Sequence, residues 1–248
     1  MNHLESRCGS LLLASALCLA GFSVAQAAVI TLHPIADSTL QEAFPNNNLG
    51  DGVSFQAGGR RQGGRTRGLL RFDIGGSVPA GATITSASLG VTVVAVPSGG
   101  FNSVFDLNRT LASWGEGNGS DHGGSPGSAG QVTWNNRLGA GTPWTSAGGD
   151  FFGTVSASRA IAGFGNYTFS STPNLIVDVQ GWLDTPANNF GWLLRSESEL
   201  TTTSIRRFGS RDSGASSPLL TVEYVIPEPG TISVAALGLV VVWRRRRP

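Results

Sequence analysis

The segment Ser86–Val96, which reads SASLGVTVVAV, is the stretch that decides the fold class. Its apolar residues recur at every second position, which is the side-chain period of a β-strand, and its β-branched residues favour extended backbone. The face expected to be buried carries Leu89, Val91, Val93 and Ala95. We therefore expect a strand here with one apolar face, bounded by turns.

The same period appears on both sides of this segment, in Arg67–Ile74 and in Leu219–Ile226. Weaker candidate strands are Val29–Leu32, Val53–Ala57, Ser103–Arg109, Phe151–Val155, Tyr167–Ser170, Leu175–Val179, Phe190–Ser196 and Ile205–Ser210. Many short strands separated by Gly- and Pro-containing turns are typical of an antiparallel sandwich or barrel. One helical turn is expected at Val179–Leu183 and no long amphipathic helix in residues 29–226, so the sequence predicts an all-β fold.

Composition narrows the function classes. The chain has no lysine, and residues 29–226 carry 12 arginines against 14 acidic residues, a formal charge of 12 − 14 = −2. Nucleic-acid-binding domains are usually basic, so no nucleic-acid partner is expected. Both cysteines, Cys8 and Cys18, precede this segment, which excludes a disulfide framework or a cysteine metal site within it.

Residues 1–28 have the features of a secretory signal peptide. Arg7 supplies the positive charge, the apolar run Leu11–Ala20 follows, and Ala25-Gln26-Ala27 provides the small-x-small cleavage pattern. Cleavage after Ala27 or Ala28 would start the mature chain near Val29. We therefore expect an exported protein whose domain occupies residues 29–226.

Residues 227–248 are expected to form a second processing segment. Pro227-Glu228-Pro229 is followed by an apolar run, 231–243, and then by four arginines, 244–247. Thirteen residues make a helix of about 20 Å, shorter than a hydrocarbon core of about 30 Å, so the run is a poor permanent anchor. The arginines favour a cytoplasmic end for the segment, with the domain outside.

These three parts, in this order, resemble the PEP-CTERM sorting signal. The resemblance implies that an exosortase-type membrane transpeptidase recognises Pro227, Glu228 and Pro229 after a transient stay in the inner membrane. It also implies a Gram-negative bacterium that makes exopolysaccharide or biofilm matrix, with the protein secreted or at the cell surface. An ordinary tail anchor is the alternative.

Residues 34–224 resemble a second family, the DNRLRE-type domains, which are akin to carbohydrate-binding module family 96. The matching motifs are 36–38 (ADS), 45–50 (PNNNLG), 68–74 (GLLRFDI), 79–89 (PAGATITSASL), 114–116 (WGE), 133–137 (TWNNR), 177–179 (VDV) with Trp182, 208–212 (FGSRD) and 218–224 (PLLTVEY). The resemblance implies a jelly-roll β-sandwich and a non-catalytic module, which in some members binds alginate-like acidic polysaccharide.

An arginine cluster is the most suggestive candidate site. Arg60, Arg61, Arg65 and Arg67 fall within RRQGGRTR, which contains no acid and whose Gly63-Gly64 pair predicts a hairpin tip. Guanidinium groups bind carboxylates bidentately, so the cluster could hold an anionic glycan. The alternative is solvated charge that protects an edge strand from aggregation. A looser group follows at Arg206, Arg207 and Arg211, whose position relative to the first is not set by the sequence.

Tryptophan rings often stack on sugars, because an indole face covers apolar C–H groups. Trp192 alternates with Phe190 and Leu194 and is expected in the core, whereas Trp114 and Trp144 border Gly-rich loops and are candidates for exposure. Trp114 is therefore added to the tentative ligand-binding set. Anchoring of the loops or the core by these two rings is the alternative.

A structural calcium ion is possible, since jelly-roll modules often hold one and Asp37, Glu42 and Asp51 surround Asn46-Asn47-Asn48. Asx turns explain the same residues equally well, and no other cofactor is expected. The long loop Ser113–Gln131 contains Glu116 and the pair Asp121-His122, but a Gly-rich loop is a poor platform for acid–base catalysis.

Three hypotheses follow. The favoured one is an exported, non-catalytic protein that binds acidic extracellular polysaccharide. The second is a purely structural biofilm or matrix protein without a glycan site. The third is a polysaccharide lyase or hydrolase, and we do not expect an enzyme because no Ser-His-Asp order or metal-histidine spacing is present.

Overall fold

The computed structural model describes residues 27–120 and 123–227, which form one compact unit. The strands of this part are Ala27–Leu32 (β1), Ala36–Gln41 (β2), Asn47–Asn48 (β3), Ser54–Gly59 (β4), Arg65–Arg71 (β5), Thr83–Ala95 (β6), Ser103–Thr110 (β7), Ser125–Pro126 (β8), Phe151–Ile161 (β9), Gly165–Phe169 (β10), Trp192–Ser196 (β11), Arg206–Gly209 (β12) and Leu219–Val225 (β13). The helices are the α-helix Pro173–Asp184 (α1) and the 3-10 turns Pro186–Asn188 and Gly214–Ser216.

Eleven of these strands form one curled antiparallel sheet in the order β1-β13-β6-β12-β4-β5-β11-β7-β9, with β10 added to β6 and β2 added to β5. The remaining pair, β3 and β8, lies in loops. Antiparallel neighbours can be joined by short turns, which suits a chain rich in glycine. The prediction of an all-β, antiparallel fold is confirmed.

Strand β6 contains the segment that decided the fold class, and its predicted face is buried except at Ala95, which is partly exposed. Leu89, Val91 and Val93 are at most 3% exposed, whereas the residues between them reach solvent in part. Along one edge, β6 pairs first with β13 and then with β12. The strand therefore runs from Thr83, beside Val225, to Ala95, beside Arg207.

One apolar core, here called the main core, takes side chains from strands throughout the curled sheet. It takes Leu89 and Val91 from β6, and Leu70, Phe105 and Trp192 from β5, β7 and β11. Burial of these side chains in the main core stabilises the fold by about 1.5–3 kcal/mol per large residue.

A second apolar cluster, here called the outer cluster, covers the other face of β5 and β11. Leu69 and Leu193 contribute from the strands, and Trp114, Trp134 and Trp144 come from the loops that follow β7. The sheet is therefore buried on both faces here. This explains why β5 alternates less cleanly in burial than β6.

The prediction of a strand at Leu175–Val179, with a single helical turn after it, is wrong. Residues Pro173–Asp184 form an α-helix whose N-cap is Thr172, with the Thr172 side chain accepting a hydrogen bond from the Leu175 backbone N–H at 3.0 Å. The helix buries Leu175, Asp178, Val179, Trp182 and Leu183, which are spaced by three and four residues. It lies against β6 and β9, and its buried side chains belong to the main core.

Asn48 anchors the described part of the loop Ser113–Gln131 at several points. The Asn48 side chain donates to the backbone carbonyls of Glu116 and Val132, and its oxygen accepts from the backbone N–H of Gly119 at 2.9 Å. Asp121 and His122 lie outside the described residues. The described part of the loop therefore has fixed anchor points on β3.

The predicted processing segments fall mostly outside the described residues, including Ala25, Glu228 and Pro229. Ala27 is the first residue of β1, where it pairs with Val225, and Pro227 follows β13. Among residues 27–120 and 123–227, no helix is long and apolar enough to cross a membrane.

Candidate functional site

The arginine cluster lies around the hairpin that joins β4 to β5, where Gly59 pairs with Arg65. At its tip the Gly63 backbone N–H donates to the Arg60 carbonyl, and both Gly63 and Gly64 have φ near +90°. Glycine adopts this left-handed backbone without a side-chain clash. The predicted hairpin tip at Gly63-Gly64 is confirmed.

The hairpin sends its first two arginines into an open groove of about 370 Å³, here called the arginine groove. The groove is lined by Gln56, Arg60, Arg61, Gln62, Ala95, Val96, Pro97, Ile205 and Arg207. None of these nine described residues is acidic, and three are cations. The groove is therefore the described surface best suited to an anion.

Arg60 is fixed in this groove by neighbours on one side. Its Nη1 donates to Gln41 Oε1, and its Cζ lies 5.1 Å from the centre of the Phe44 ring. Burial, followed by the positive charge of Arg207, lowers the pKa of the Arg60 guanidinium. A bound carboxylate would offset this repulsion and could accept hydrogen bonds from the Arg60 guanidinium.

The expectation that Arg65 and Arg67 belong to the same positive patch is wrong, because both are already paired with carboxylates. Arg65 Nη2 lies 2.7 Å from Glu42 Oε1 in a half-buried ion pair. Arg67, 7% exposed, pairs with Glu199 at the same distance. These two arginines line a different depression of about 610 Å³, together with Asp150 and Phe151.

The second arginine group divides in a similar way. Arg206 is 1% exposed and donates to backbone carbonyls, including those of Ala162 and Phe101. Arg211 pairs with Glu116 at 2.8 Å. Only Arg207 lines the arginine groove, because β12 pairs with β4 and places Arg207 opposite Gln56. Arg207 is therefore the one residue of the second group that lines the same groove as Arg60 and Arg61.

The tentative assignment of Trp114 as a ligand-stacking ring is wrong. Trp114 is 2% exposed, its Nε1 donates to the Phe190 carbonyl at 2.8 Å, and the Arg71 guanidinium lies 5.1 Å from its ring centre. Trp144 is 4% exposed and donates to the Thr133 carbonyl. Both rings anchor loops in the outer cluster, which is the alternative stated above.

The acidic residues considered for calcium have other partners. Glu42 pairs with Arg65, and Asp37 accepts a hydrogen bond from the Arg211 backbone N–H at 2.7 Å. Burial and the nearby carboxylates of Glu116 and Asp212 raise the pKa of Asp37 to about 7, against the effect of that hydrogen bond and of the Arg211 charge. Across the described ranges, no three His, Cys, Asp or Glu residues come close enough together to hold a metal ion.

Glu116, the one described acid of the long loop, is occupied structurally. Its Oε1 accepts from the Asp37 backbone N–H at 2.8 Å and pairs with Arg211. Burial raises the pKa of Glu116. Its carboxylate therefore joins the loop to β2 and to the segment after β12.

Gln56 is one of the lining residues that sequence reasoning did not assign to a site. It lies between Phe55 and Ala57, which face the main core, so the two-residue period places its side chain on the opposite face. That alternation was visible in the sequence. Its position opposite Arg207 was not, because the pairing of β4 with β12 joins Gln56 to a residue 151 positions away (207 − 56).

No protein-family model matches the chain, and no curated protein matches it. The arginine groove therefore remains the feature of the described residues from which a function can be inferred.

Proposed function

We propose that this chain is an exported, non-catalytic carbohydrate-binding protein whose domain binds acidic extracellular polysaccharide in the arginine groove. Arg60, Arg61 and Arg207 contact carboxylates of the polymer. Arg65, Arg67 and Trp114 stabilise the fold around the groove instead. The domain is a β-sandwich of the jelly-roll type, as the resemblance to the DNRLRE-type domains implies.

The observation that carries this proposal is the charge of the groove. Three guanidinium groups line one open surface, and none of the described lining residues is acidic. By contrast, Arg65, Arg67, Arg109, Arg195 and Arg211 form ion pairs with acidic side chains. An anionic polymer would be attracted to the positive surface of the groove, and an open groove admits a chain without a free end.

The jelly-roll assignment is supported by the main core, in which residues of β6 and β13 form one cluster with residues of β5, β7 and β11. Such a core fills the interior with side chains and leaves binding to the surface. The groove contains no described histidine, carboxylate or serine that could act as acid, base or nucleophile. The lining residues of the groove therefore favour binding of a polysaccharide over its enzymatic cleavage.

Export and sorting complete the proposal. The predicted signal peptide precedes the domain, and Pro227-Glu228-Pro229 begins two residues after β13 ends at Val225. An exosortase-type transpeptidase could therefore act on the motif while the sheet stays paired. The proposed location is the surface of a Gram-negative bacterium or its surroundings, after transient anchoring in the inner membrane.

Affinity electrophoresis of residues 27–227 tests the proposal. We expect alginate in the gel to retard the protein and an uncharged glucan at equal concentration to leave its mobility unchanged. The Arg60→Gln/Arg61→Gln variant should migrate with little retardation in both gels. No retardation of the wild type by alginate or by the producer's own exopolysaccharide, or release of unsaturated or reducing ends, would contradict the proposal.

A purely structural matrix protein is the second candidate, and the many paired arginines favour it. Five arginines serve ion pairs within the fold, so abundant arginine alone does not require a ligand. This candidate predicts that the Arg60→Gln/Arg61→Gln variant supports biofilm formation as well as the wild type does whenever it is exported.

A further inference from the structure

Buried Arg206 ties three segments together at one end of the domain. It is 1% exposed, and its guanidinium donates to the backbone carbonyls of Phe101, Ala162 and Ile205. These residues lie before β7, after β9 and before β12, respectively. Because one planar group with donors in a fixed fork holds all three segments, their relative positions are set by the fold.

Arg206 also lies between two open spaces. Ile205 lines the arginine groove, whereas Ala162 lines a separate depression of about 350 Å³, here called the apolar depression. Asn102, whose Oδ1 accepts from Arg206 Nη2 at 3.3 Å, lines the apolar depression as well. Lining residues of both spaces thus contact one guanidinium, which places the two spaces side by side at this end of the domain.

The apolar depression differs from the arginine groove in its chemistry. Its aliphatic lining comes from β7 and from the end of β9: Val104, Ala160, Ile161 and Ala162. Tyr167 adds a ring, and its hydroxyl already donates to the Gly163 carbonyl at 3.0 Å. None of the described lining residues is charged. A carboxylate placed here would lose water without gaining a cation, so the depression suits an uncharged apolar group.

Two exposed aromatic rings lie in the same segments. Phe101 is 50% exposed and precedes Asn102, and Phe164 is 68% exposed and lies between Ala162 and Tyr167 in the chain. Apolar residues that remain exposed close together on a folded domain often mark a binding site. A ligand that matches this end of the domain therefore combines negative charge with an apolar substituent.

We propose that the apolar depression receives an O-acyl group, such as acetyl, carried by the acidic polysaccharide that occupies the arginine groove. This inference rests on the proposed function. Carboxylates of the polymer lie against Arg60 and Arg61, while the methyl of a neighbouring acyl group lies against Val104 and Ala160. The protein therefore distinguishes acylated from unacylated forms of one acidic polymer.

Titration calorimetry with alginate hexasaccharides tests this inference on residues 27–227, which form one compact unit. One sample is O-acetylated, and the other is the same batch after mild base has removed the acetyl groups. We expect the wild type to bind the acetylated sample about fourfold more tightly, as for the burial of one methyl group. Ala160→Trp should fill the depression and abolish this preference, and it should change the Kd of the deacetylated sample by less than about twofold.

Thr154→Trp is the matched control. Thr154 is exposed on the same strand, β9, but does not line the depression. Tryptophan is well accommodated at exposed strand positions, so both variants should fold, which thermal unfolding checks. The control should retain the preference for the acetylated sample. Equal losses of preference in the two variants would overturn the inference.

Saturation-transfer difference NMR on the wild type gives a readout that needs no variant. The acetyl methyl protons should receive the strongest saturation from the protein. Saturation confined to the sugar ring protons would show that the polymer reaches this end through its C–H faces, and the acyl subsite would be rejected. If neither sample binds, the proposed function fails; if both bind equally, only the acyl subsite fails.

Discussion

Arg67 and Glu199 form a bidentate ion pair in the interior of the domain, with Nη2 2.7 Å from Oε1 and Nε 3.0 Å from Oε2. The pair joins β5 to the turn after β11, and Arg67 Nη1 also donates to the Gly148 carbonyl at 2.9 Å. A guanidinium with these partners is not available to a ligand. Arg67 therefore stabilises the fold, whereas Arg60, Arg61 and Arg207 line the arginine groove.

Arg67→Met should lower the free energy of unfolding by about 3–5 kcal/mol, because Glu199 would remain buried without a counter-charge. Urea denaturation measures the change. Adding Glu199→Leu should restore most of the loss, since the unpaired carboxylate is then removed. The alginate Kd of the folded fraction should change by less than about twofold, because a distant, independent site is altered.

Arg65→Met is the comparison for this prediction. Its pair with Glu42 has side chains about one-third exposed, at 32% and 36%, where solvent screens the charges. The loss should therefore be about 0–1 kcal/mol. An Arg67→Met protein of unchanged stability that no longer binds alginate would show that Arg67 contacts the ligand.

Asp37 makes the stability of the domain fall as the pH rises through neutrality. Its pKa is about 7 in the folded protein and 3.8 when unperturbed. Between these values the folded state holds a proton that the unfolded state has lost, so folding is favoured at the lower pH. We expect the melting temperature of the wild type to drop between about pH 4 and about pH 7 and to level off above that.

Asp37→Asn removes this titration while keeping a side-chain oxygen for the Arg211 backbone N–H. The melting temperature of the variant should depend less on pH across that interval. Glu116, whose pKa is also raised by burial, remains as a smaller contribution to the pH dependence. Parallel pH profiles for wild type and variant would contradict the assignment to Asp37.

The two ends of the described domain lie at the opposite end of β6 from the arginine groove. Ala27 pairs with Val225, and Val225 pairs with Thr83 at the start of β6, whereas Ala95 at its end lines the groove. Twelve residue steps of extended chain cover about 40 Å. A protein held by its C-terminal end would therefore present the groove away from the surface that holds it.

Immobilisation tests this arrangement, since residues 27–227 contain no cysteine. Coupling through a C-terminal tag should leave alginate binding unchanged in surface plasmon resonance. Coupling through a single thiol introduced by Gln62→Cys should abolish it. Equal binding in both orientations would show that the groove is not where the polymer binds.

The alternation of apolar and polar residues correctly predicted strands that bury one face and expose the other. Strand β6 alternates strictly and was found. The helix was missed because its buried stripe contains Asp178, whose carboxylate accepts hydrogen bonds from Ser156 and from Trp192 Nε1. Because one residue of the buried stripe is polar, the apolar residues alone do not show the helical period. Thr172-Pro173, an N-cap residue followed by a proline, is the sequence feature that indicates the start of the helix.

The candidate site was harder to predict, because charge partners come from distant segments. Arg67 meets Glu199, 132 residues away, and Arg207 reaches the groove through the pairing of β4 with β12. No local pattern in the sequence reports such contacts. The sequence therefore indicated the hairpin and its arginines, while the sheet pairing decided which of them face the groove.

The most direct test of the central claim is a comparison of Arg61→Gln with Arg159→Gln in calorimetric titrations with alginate. Both arginines are exposed, neither forms an ion pair among the described residues, and both variants lose one charge, but only Arg61 lines the groove. We predict that Arg61→Gln weakens binding about tenfold, as for a lost charge-assisted hydrogen bond, and that Arg159→Gln leaves it nearly unchanged. Equal losses in the two variants would mean that alginate responds only to overall charge, and the claim of a binding groove would be wrong.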